Sequence, residues 1–495
     1  LSYVPKGLVA ALGLPALPET SQALGGLRIR YVDHHLAHAA SSAFTCPWSR
    51  AAVVSVDAFG EENSLAIARL AEGAITVLET VAFPHSVGSF YSYICEFLGF
   101  QADADEYKVM ALGAFADPAQ TAALCERVET LYRIGGADRD DGTLGFELDL
   151  NRFDHYDFQR AHNFAPMEAA LGMPARAADA PIGPEHYALA AALQQSFEHI
   201  IDVILRHARA LTGESVVALS GGCFMNSLAN GKLEFPNAEG QAPAFDAIHV
   251  TGWPDDSGTA IGAALYVALN GKEQPHSELR HSFFGPTISS GDVEQSIARR
   301  KLSALSRPAP DAAQTVAAAV ASGAIVGYAA GRMEFGQRAL GHRSIFADPR
   351  DPVIRDKVNA HVKRREAFRP YAVSVLAERV HEVFDAPAGY ESWVMEKVRP
   401  VRACWAERIK GVLHADGTVR LHTITRETNP ELYAILLAFE ALTGVPLIVN
   451  TSFNVAGMPM VCSADDAIDC FLRCGLDALV MGEQILWKPD SARPA

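Results

Sequence analysis

Val216-Val217-Ala218-Leu219-Ser220-Gly221-Gly222-Cys223-Phe224-Met225-Asn226 is the stretch that decides the fold class. Val216 to Leu219 reads as a short buried strand, and a helical pattern is predicted from Phe224 to Leu233. Between them, Gly221 and Gly222 let the backbone come close to a phosphate or a ribose. Strand, glycine-rich turn and helix in that order form a phosphate-binding arrangement of α/β proteins, although a Gly-Gly turn alone does not establish one.

Working outward, Ala51 to Asp57 reads as a buried strand that ends on a carboxylate, and Ser64 to Leu70 and Ala74 to Val81 alternate like its antiparallel neighbours. Apolar residues recur every three or four positions over Val87 to Leu98 and Glu185 to Leu211, which predicts helices there. Ala247 to Val250 is a further strand, and Gly258 to Leu269 an alanine-rich helix able to pack closely. From about Gly271 to Pro310 the chain turns polar and proline-rich, so a domain boundary is expected near residue 275. Past it, strands at Ala324 to Tyr328, Ala372 to Leu376 and Pro446 to Asn450 alternate with helices, giving a second α/β unit. We found no repeats or low-complexity tracts.

A chain of 495 residues, about half of them apolar and a fifth charged, is too long for one core and has the make-up of a two-domain globular α/β protein. The net charge of -16 disfavours nucleic acid and anionic membrane surfaces, so an anionic ligand has to be held by local Arg, Lys and backbone N–H groups. The eight cysteines are scattered, and Cys470 and Cys474 lack the Cys-x-x-Cys spacing, which suits reduced thiols in a cytoplasm. No run approaches the roughly 20 apolar residues of a membrane helix. The chain opens on Leu1 without the pattern of a signal peptide, so it is expected to begin inside a domain.

Two constellations carry chemistry. In Asp33-His34-His35-Leu36-Ala37-His38, His34 and His38 stand four apart, so on a helix both rings share a face and can converge on one ion while His35 points elsewhere. Asp57 closes an apolar strand where a carboxylate is costly without a cation, and Asp256 sits in the turn before a helix. The competing readings are helix-surface histidines and an N-cap formed by Asp255 and Asp256. Two imidazoles and two carboxylates suit Fe, Mn or Zn and leave positions for phosphate oxygens.

The second constellation is cationic. Gly331 to Ser344 holds three arginines and three glycines, followed by Lys363, Arg364, Arg365, Arg369 and Arg420, and then by Asn450-Thr451-Ser452-Phe453-Asn454 at a strand end. Arginine forks bind phosphate or carboxylate bidentately. A run such as Lys363 to Arg365 is usually a solvated helix face. In an acidic chain, its place beside glycine-rich turns favours an anion site. His85-Ser86-Val87-Gly88-Ser89 and Glu106-Tyr107-Lys108-Val109-Met110 also put polar groups among apolar ones where packing does not require them.

Taken together, His34 to Ser41, Phe83 to Gly88, Glu106 to Met110, Gly336 to Gly341 and Asn450 to Asn454 resemble, in order, the carbamoyltransferases of nodulation-factor and antibiotic biosynthesis. The resemblance implies an N-terminal domain over 1–275, like the ATPase fold of actin, Hsp70 and sugar kinases and most like the tRNA threonylcarbamoyl-transferring protein. It also implies a C-terminal α/β domain over 276–495, similar to the acyl-adenylate-forming partner of that pathway. The C-terminal domain would turn carbamoyl phosphate and ATP into carbamoyl adenylate, and the N-terminal domain would pass carbamoyl to a small-molecule hydroxyl.

By resemblance, His34, His38, Asp57 and Asp256 match ligands of a divalent metal, usually Fe(II), with Mn, Mg or Zn as alternatives. Gly88, Gly222 and Asn226 match adenylate contacts, and Arg338, Lys363, Arg369, Arg420, Asn450 and Ser452 match positions that hold carbamoyl phosphate and ATP. Two departures accompany the match: Asp57-Ala58 stands where many relatives have Asp-Gly, and the family's segment before the His-x-x-x-His, with its His-Asp element, has no counterpart, so no catalytic base is assigned. The acceptor identity stays open, and a homo-oligomer is allowed. The rivals are a tRNA threonylcarbamoyl-type enzyme, disfavoured by the acidic charge, and a nucleotide-binding module without chemistry.

Overall fold

A computed structural model of the chain describes residues 30–135, 142–272 and 278–489. Strands β1 (Ala51–Gly60), β2 (Asn63–Ala71) and β3 (Ala74–Ala82) run antiparallel in sequence. The short β4 (Tyr132–Arg133) and β5 (Glu147–Leu148) pair only with each other, whereas β6 (Val216–Ser220) and β7 (Ala247–Val250) extend the first sheet in parallel. The resulting order is β3-β2-β1-β6-β7.

The two-residue period of β1 sorts its side chains between two layers. Ala52, Val54 and Val56 join a core with Phe90 and Ile94 of α2 (Val87–Phe97) and with Leu193 and Phe197 of the long helix Pro184–Thr212. Val53 joins a smaller cluster with Ala39, Ala40 and Ala43 of α1 (His34–Ala43) on the opposite face. Ser55 and Asp57 follow Val53 on that face, so the strand, which runs on past the expected end at Asp57 to Gly60, delivers the Asp57 carboxylate to the helix that carries the histidines. Between α2 and the long helix lies α3 (Glu106–Leu112), and past β7 comes α4 (Ser257–Leu269). A Cβ at Gly262 of α4 would overlap the carbonyl of Ala37, so glycine is what lets α4 lie against α1.

The second sheet contains β8 (Ser306–Pro308), β9 (Val326–Ala329), β10 (Arg343–Ala347), β11 (Ala372–Leu376), β12 (Lys397–Pro400), β13 (Thr418–Ile424), β14 (Leu447–Ser452), β15 (Ala478–Met481) and β16 (Gln484–Trp487). Its order is β12-β13-β11-β14-β10-β9-β15-β16-β8, with antiparallel pairs except β11 with β13 and β9 with β15. Both sheets lie in one compact unit. They are tied together by Asn230 Nδ2 donating to Glu396 O at 3.1 Å, Arg399 Nη1 donating to Gly231 O at 2.9 Å, and the Lys397–Glu234 ion pair at 2.8 Å.

Two expectations need comment. The helix predicted over Phe224 to Leu233 is broken: a 3₁₀ turn at Gly222–Met225 gives way to the short helix Ser227–Asn230, because Asn226 adopts ψ 89° and its side chain caps the N–H of Ala229. The boundary expected near residue 275 falls outside the described residues. No helix among the described residues is long and apolar enough to cross a membrane.

Gly262→Val would force α1 and α4 apart. Overpacking of this kind costs about 1–3 kcal/mol, and we expect it as a lowered urea midpoint at unchanged slope. An unchanged midpoint would mean that the two helices do not meet here.

Candidate metal centre and anion cavity

Three elements meet at one point. α1 presents His34 and His38 from successive turns, β1 presents Asp57, and the turn before α4 presents Asp256. The Nε2 atoms of His34 and His38 are 3.1 Å apart, and Asp57 Oδ2 lies 3.2 and 3.0 Å from them. Asp256 Oδ1 stands 3.6 and 3.4 Å from the same two nitrogens. One donor atom from each of the four residues lies within 4.8 Å of every other.

Two facing imidazole nitrogens repel unless a proton or a cation lies between them. With ligands about 2.1 Å from an ion, neighbouring donor atoms stand about 3.0 Å apart in an octahedral set and about 3.4 Å in a tetrahedral one. Five of the six separations, at 3.0–3.6 Å, span both values, and all six are within 4.8 Å. The donor set therefore fits a divalent metal. Asp256 adds to the fit: it occupies the N-cap position of α4 yet makes no capping hydrogen bond, so the helix does not account for its carboxylate.

Electrostatics follow the geometry. Burial disfavours a charged His38, but its bonds to Asp256 and Asp57 outweigh burial and raise it to about 9. Burial would likewise raise Asp57, yet hydrogen bonds from His34 and His38, with the charge on His38, hold its carboxyl far below the usual range. His35 behaves oppositely. Its Nε2 donates to Asn63 O and its Nδ1 accepts from Ser55 Oγ, both at 2.9 Å, and burial lowers it to about 4, so it is a neutral strut between helix and sheet.

The three residues expected at an adenylate surround Asp57 or lie next to those that do. A Cβ at Gly88 would come within 2.7 Å of the Asp57 carbonyl carbon, and one at Gly222 within 2.8 Å of Asp57 Oδ1. At Gly222 the close backbone approach is made to the Asp57 carboxylate itself, and at Gly88 to the backbone of Asp57 and Ala58. Ala58 donates its N–H to Asp57 Oδ1 at 2.8 Å. Asn226 pairs its amide with Gln194, donating at 2.9 Å and accepting at 3.1 Å.

The C-terminal candidates fall into two groups. Arg420 and Asn450 flank Ala372 across β13, β11 and β14, and directly paired residues share a sheet face. On that face Asn450 Nδ2 donates to Ser374 Oγ at 2.9 Å, while Asn450 Oδ1 and Arg420 Nε are buried without a partner among the described residues. Arg338 donates to Met225 O at 2.7 Å, and its Nη1 is similarly unpartnered. Burial lowers Arg338 to about 10, and burial together with the charges of Arg338 and Arg365 lowers Arg420 to about 9. Guanidinium groups this short of acceptors are suited to an anion.

Lys363, Arg369 and Ser452 instead line a polar cavity of about 640 Å³. Lys363 is 2% exposed, and its ammonium donates to Ser452 O, to Ser452 Oγ at 3.1 Å and to Asn454 Oδ1 at 2.7 Å, all neutral acceptors. Tyr107 and Lys108 of α3 line the same cavity. The sequence had marked their segment without giving it a role. It also missed Glu334, whose buried Oε1 accepts the N–H groups of Leu340, His342 and Arg343 at 2.7, 2.8 and 3.2 Å and so shapes the loop that carries Arg338. A carboxylate inside an arginine-rich stretch gave no separate signal.

Residues 24–265 match the family described as Carbamoyltransferase N-terminus, and residues 317–488 match Carbamoyltransferase C-terminus. The chain belongs to the carbamoyltransferase family. It is 34% identical over 475 residues to nodulation protein NolO of Bradyrhizobium diazoefficiens, covering 94% of this chain and 79% of that one. Against nodulation protein NolNO of Sinorhizobium fredii it is 35% identical over 471 residues, 93% of this chain and 64% of that protein, so it spans under two thirds of that relative's length. Uncharacterized protein sll1178 of Synechocystis is 32% identical over 483 residues, 92% of this chain and 76% of its own length.

Replacing His38 or Asp57 by Ala should reduce bound divalent metal at least tenfold by elemental analysis, while Asp256→Ala should weaken metal retention without lowering thermal stability, since no cap is lost. Full metal content in all three variants would exclude the centre. For the cavity, burial and then the charges of Arg365 and Arg369 push the Lys363 ammonium well below its ordinary 10.5. Losing that proton removes a positive charge. Affinity for tripolyphosphate should therefore fall as pH rises through the lowered pKa, earlier than an ordinary lysine allows, and Lys363→Met should flatten that part of the titration.

Proposed function

We propose that the chain is an ATP- and metal-dependent O-carbamoyltransferase that takes carbamoyl phosphate as donor and a small-molecule hydroxyl as acceptor. The observation that carries this reading is the convergence of His34, His38, Asp57 and Asp256 on one point. The strand order β3-β2-β1-β6-β7, three antiparallel strands followed by two parallel ones, supports an N-terminal half of the actin, Hsp70 and sugar-kinase type. In that case residues 1–275 form the transfer domain and 276–495 the adenylate-forming one.

Water releases phosphate from carbamoyl phosphate, and the carbamate oxygen attacks the α-phosphorus of ATP, breaking the α–β bond and expelling pyrophosphate. The acceptor oxygen then attacks the carbamoyl carbon and loses its proton, AMP leaves, and the carbamate ester forms. Lys363, Arg369 and Ser452 hold phosphate oxygens during the first stage, with Arg338 and Arg420 neutralising negative charge on the sheet face. A metal held by His34, His38, Asp57 and Asp256 supplies Lewis-acid polarisation of phosphate or carbamoyl oxygens. Asp57, fixed by Ala58 N–H and crowded by Gly88 and Gly222, keeps these donor groups in register.

Protein supplied with ATP, carbamoyl phosphate and Fe(II) should release pyrophosphate, and AMP once a hydroxylated acceptor is added. Absence of both products, in this chain and in a version extended at its N-terminus, would sink the reading.

A further inference from the structure

The cavity around Lys363 is walled partly from the N-terminal half. Five cationic residues, Lys108, Lys363, Arg364, Arg365 and Arg369, face it against two acids, Asp105 and Glu366, so it is built for a multiply charged anion. At about 640 Å³ it has room for far more than one phosphate group, and Val455 and Ala456 add an apolar stretch to its lining.

On the α3 side, Tyr107 is tied to the far half twice. Its hydroxyl accepts from Arg369 Nη2 at 2.7 Å, and the same guanidinium lies over its ring at 4.6 Å. The neighbouring Lys108 bridges Asp105 at 2.9 Å and Glu366 at 3.1 Å, and Glu366 in turn accepts from Arg369 at 3.2 Å. This ring of charges fixes the end of α3 against the second sheet. Tyr107 nonetheless stays 45% exposed, so a flat aromatic face, polarised from behind by arginine, stands open beside the phosphate-binding cations.

We propose that Tyr107 is the stacking surface for the adenine of ATP, contributed by the N-terminal half to the adenylate-forming cavity. The inference rests on the carbamoyltransferase reading for its choice of nucleotide. Every base offers a π-face, and the loss of one stacking ring weakens binding about tenfold. The triphosphate is held by Lys363, Arg365 and Arg369, so the two ends of the nucleotide are bound by different halves of the chain.

Calorimetric titration of the whole chain with ATP and with tripolyphosphate, which has no base, separates the two ends. Tyr107→Ala should weaken ATP about tenfold and leave tripolyphosphate unchanged. Tyr107→Phe, which keeps the ring, loses the bond to Arg369 and preserves the packing, should bind both within about threefold of the wild type. Equal losses for ATP and tripolyphosphate in Tyr107→Ala would make the residue a support for Arg369 and overturn the proposal. So would unchanged ATP affinity, or a loss in Tyr107→Phe as large as in Tyr107→Ala. Should Tyr107→Ala fail to fold, Tyr107→Leu takes its place with the same expected outcome. Pyrophosphate release is followed on the same samples with carbamoyl phosphate and Fe(II) added: ATP binding without release, in this chain and in a version extended at its N-terminus, sinks the carbamoyltransferase reading and leaves the stacking result standing.

Discussion

A carboxylate near the end of a buried strand is the constraint from which the N-terminal architecture follows. Asp57 is largely buried, and a charge there costs several kcal/mol, a large share of a domain's stability, unless cationic or hydrogen-bonding groups surround it. The compensation comes from every side. His34 and His38 approach from α1, Ala58 N–H reaches back to Oδ1, and Ser86 Oγ donates to the Asp57 carbonyl at 3.2 Å. For α1 to come this near, α4 has to pack on it without a side chain at Gly262, and the Ser86–Gly88 and Gly221–Gly222 turns have to lie against the strand without Cβ atoms at Gly88 and Gly222. The small residues are consequences of the charge.

The C-terminal sheet meets a related demand with the opposite sign. Its face carries Arg420, His422, Ser374 and Asn450 in adjoining rows, and burial lowers His422 to about 3, so the imidazole stays neutral and the Ser374 hydroxyl bonds to it at 3.0 Å. Positive charge is then concentrated on Arg338, Arg365, Arg420 and Lys363 with too few acids to neutralise it. Glu334 is an acid within this region: its Oε1 accepts three backbone N–H groups of the loop that carries Arg338, and Arg338 itself reaches across to Met225. Gln337 of the same loop donates to Asp255, one residue from Asp256. The loop therefore touches both the glycine turn and the turn that carries Asp256.

Much of this was legible wherever one period governed a segment. The β1–β3 meander, α2, the long helix Pro184–Thr212 and the His34/His38 pair were all readable, because burial on one face imposes alternation or helical spacing. The Phe224 to Leu233 region misled because its apolar residues fit a helix, while Asn226 prefers to cap and breaks it. Most strands of the nine-stranded sheet were invisible. Several are short and carry inward charges, such as Arg343 in β10, Lys397 and Arg399 in β12 and Arg420 in β13, which destroys the apolar signature.

Lys363 shows most plainly why composition could not foresee which members of a charged run turn inward. In the sequence it opens a charged run of the kind that normally faces water. In the fold, Val358–Lys363 is wound as a π-helix, and Arg364 follows with φ 51°. The wider turn buries Lys363 and leaves Arg364 exposed along the same cavity, an outcome that a 3.6-residue period cannot foresee. Irregular winding and a left-handed residue are costly, and they persist where the surroundings over-determine them. Here the surroundings are the Ser452 and Asn454 acceptors, which take the ammonium's hydrogen bonds. An acidic chain of net charge -16 repels polyanions at a distance, so attraction has to be built at close range. A buried ammonium with neutral partners, backed by arginines and faced from the other half by α3, is an arrangement suited to such attraction.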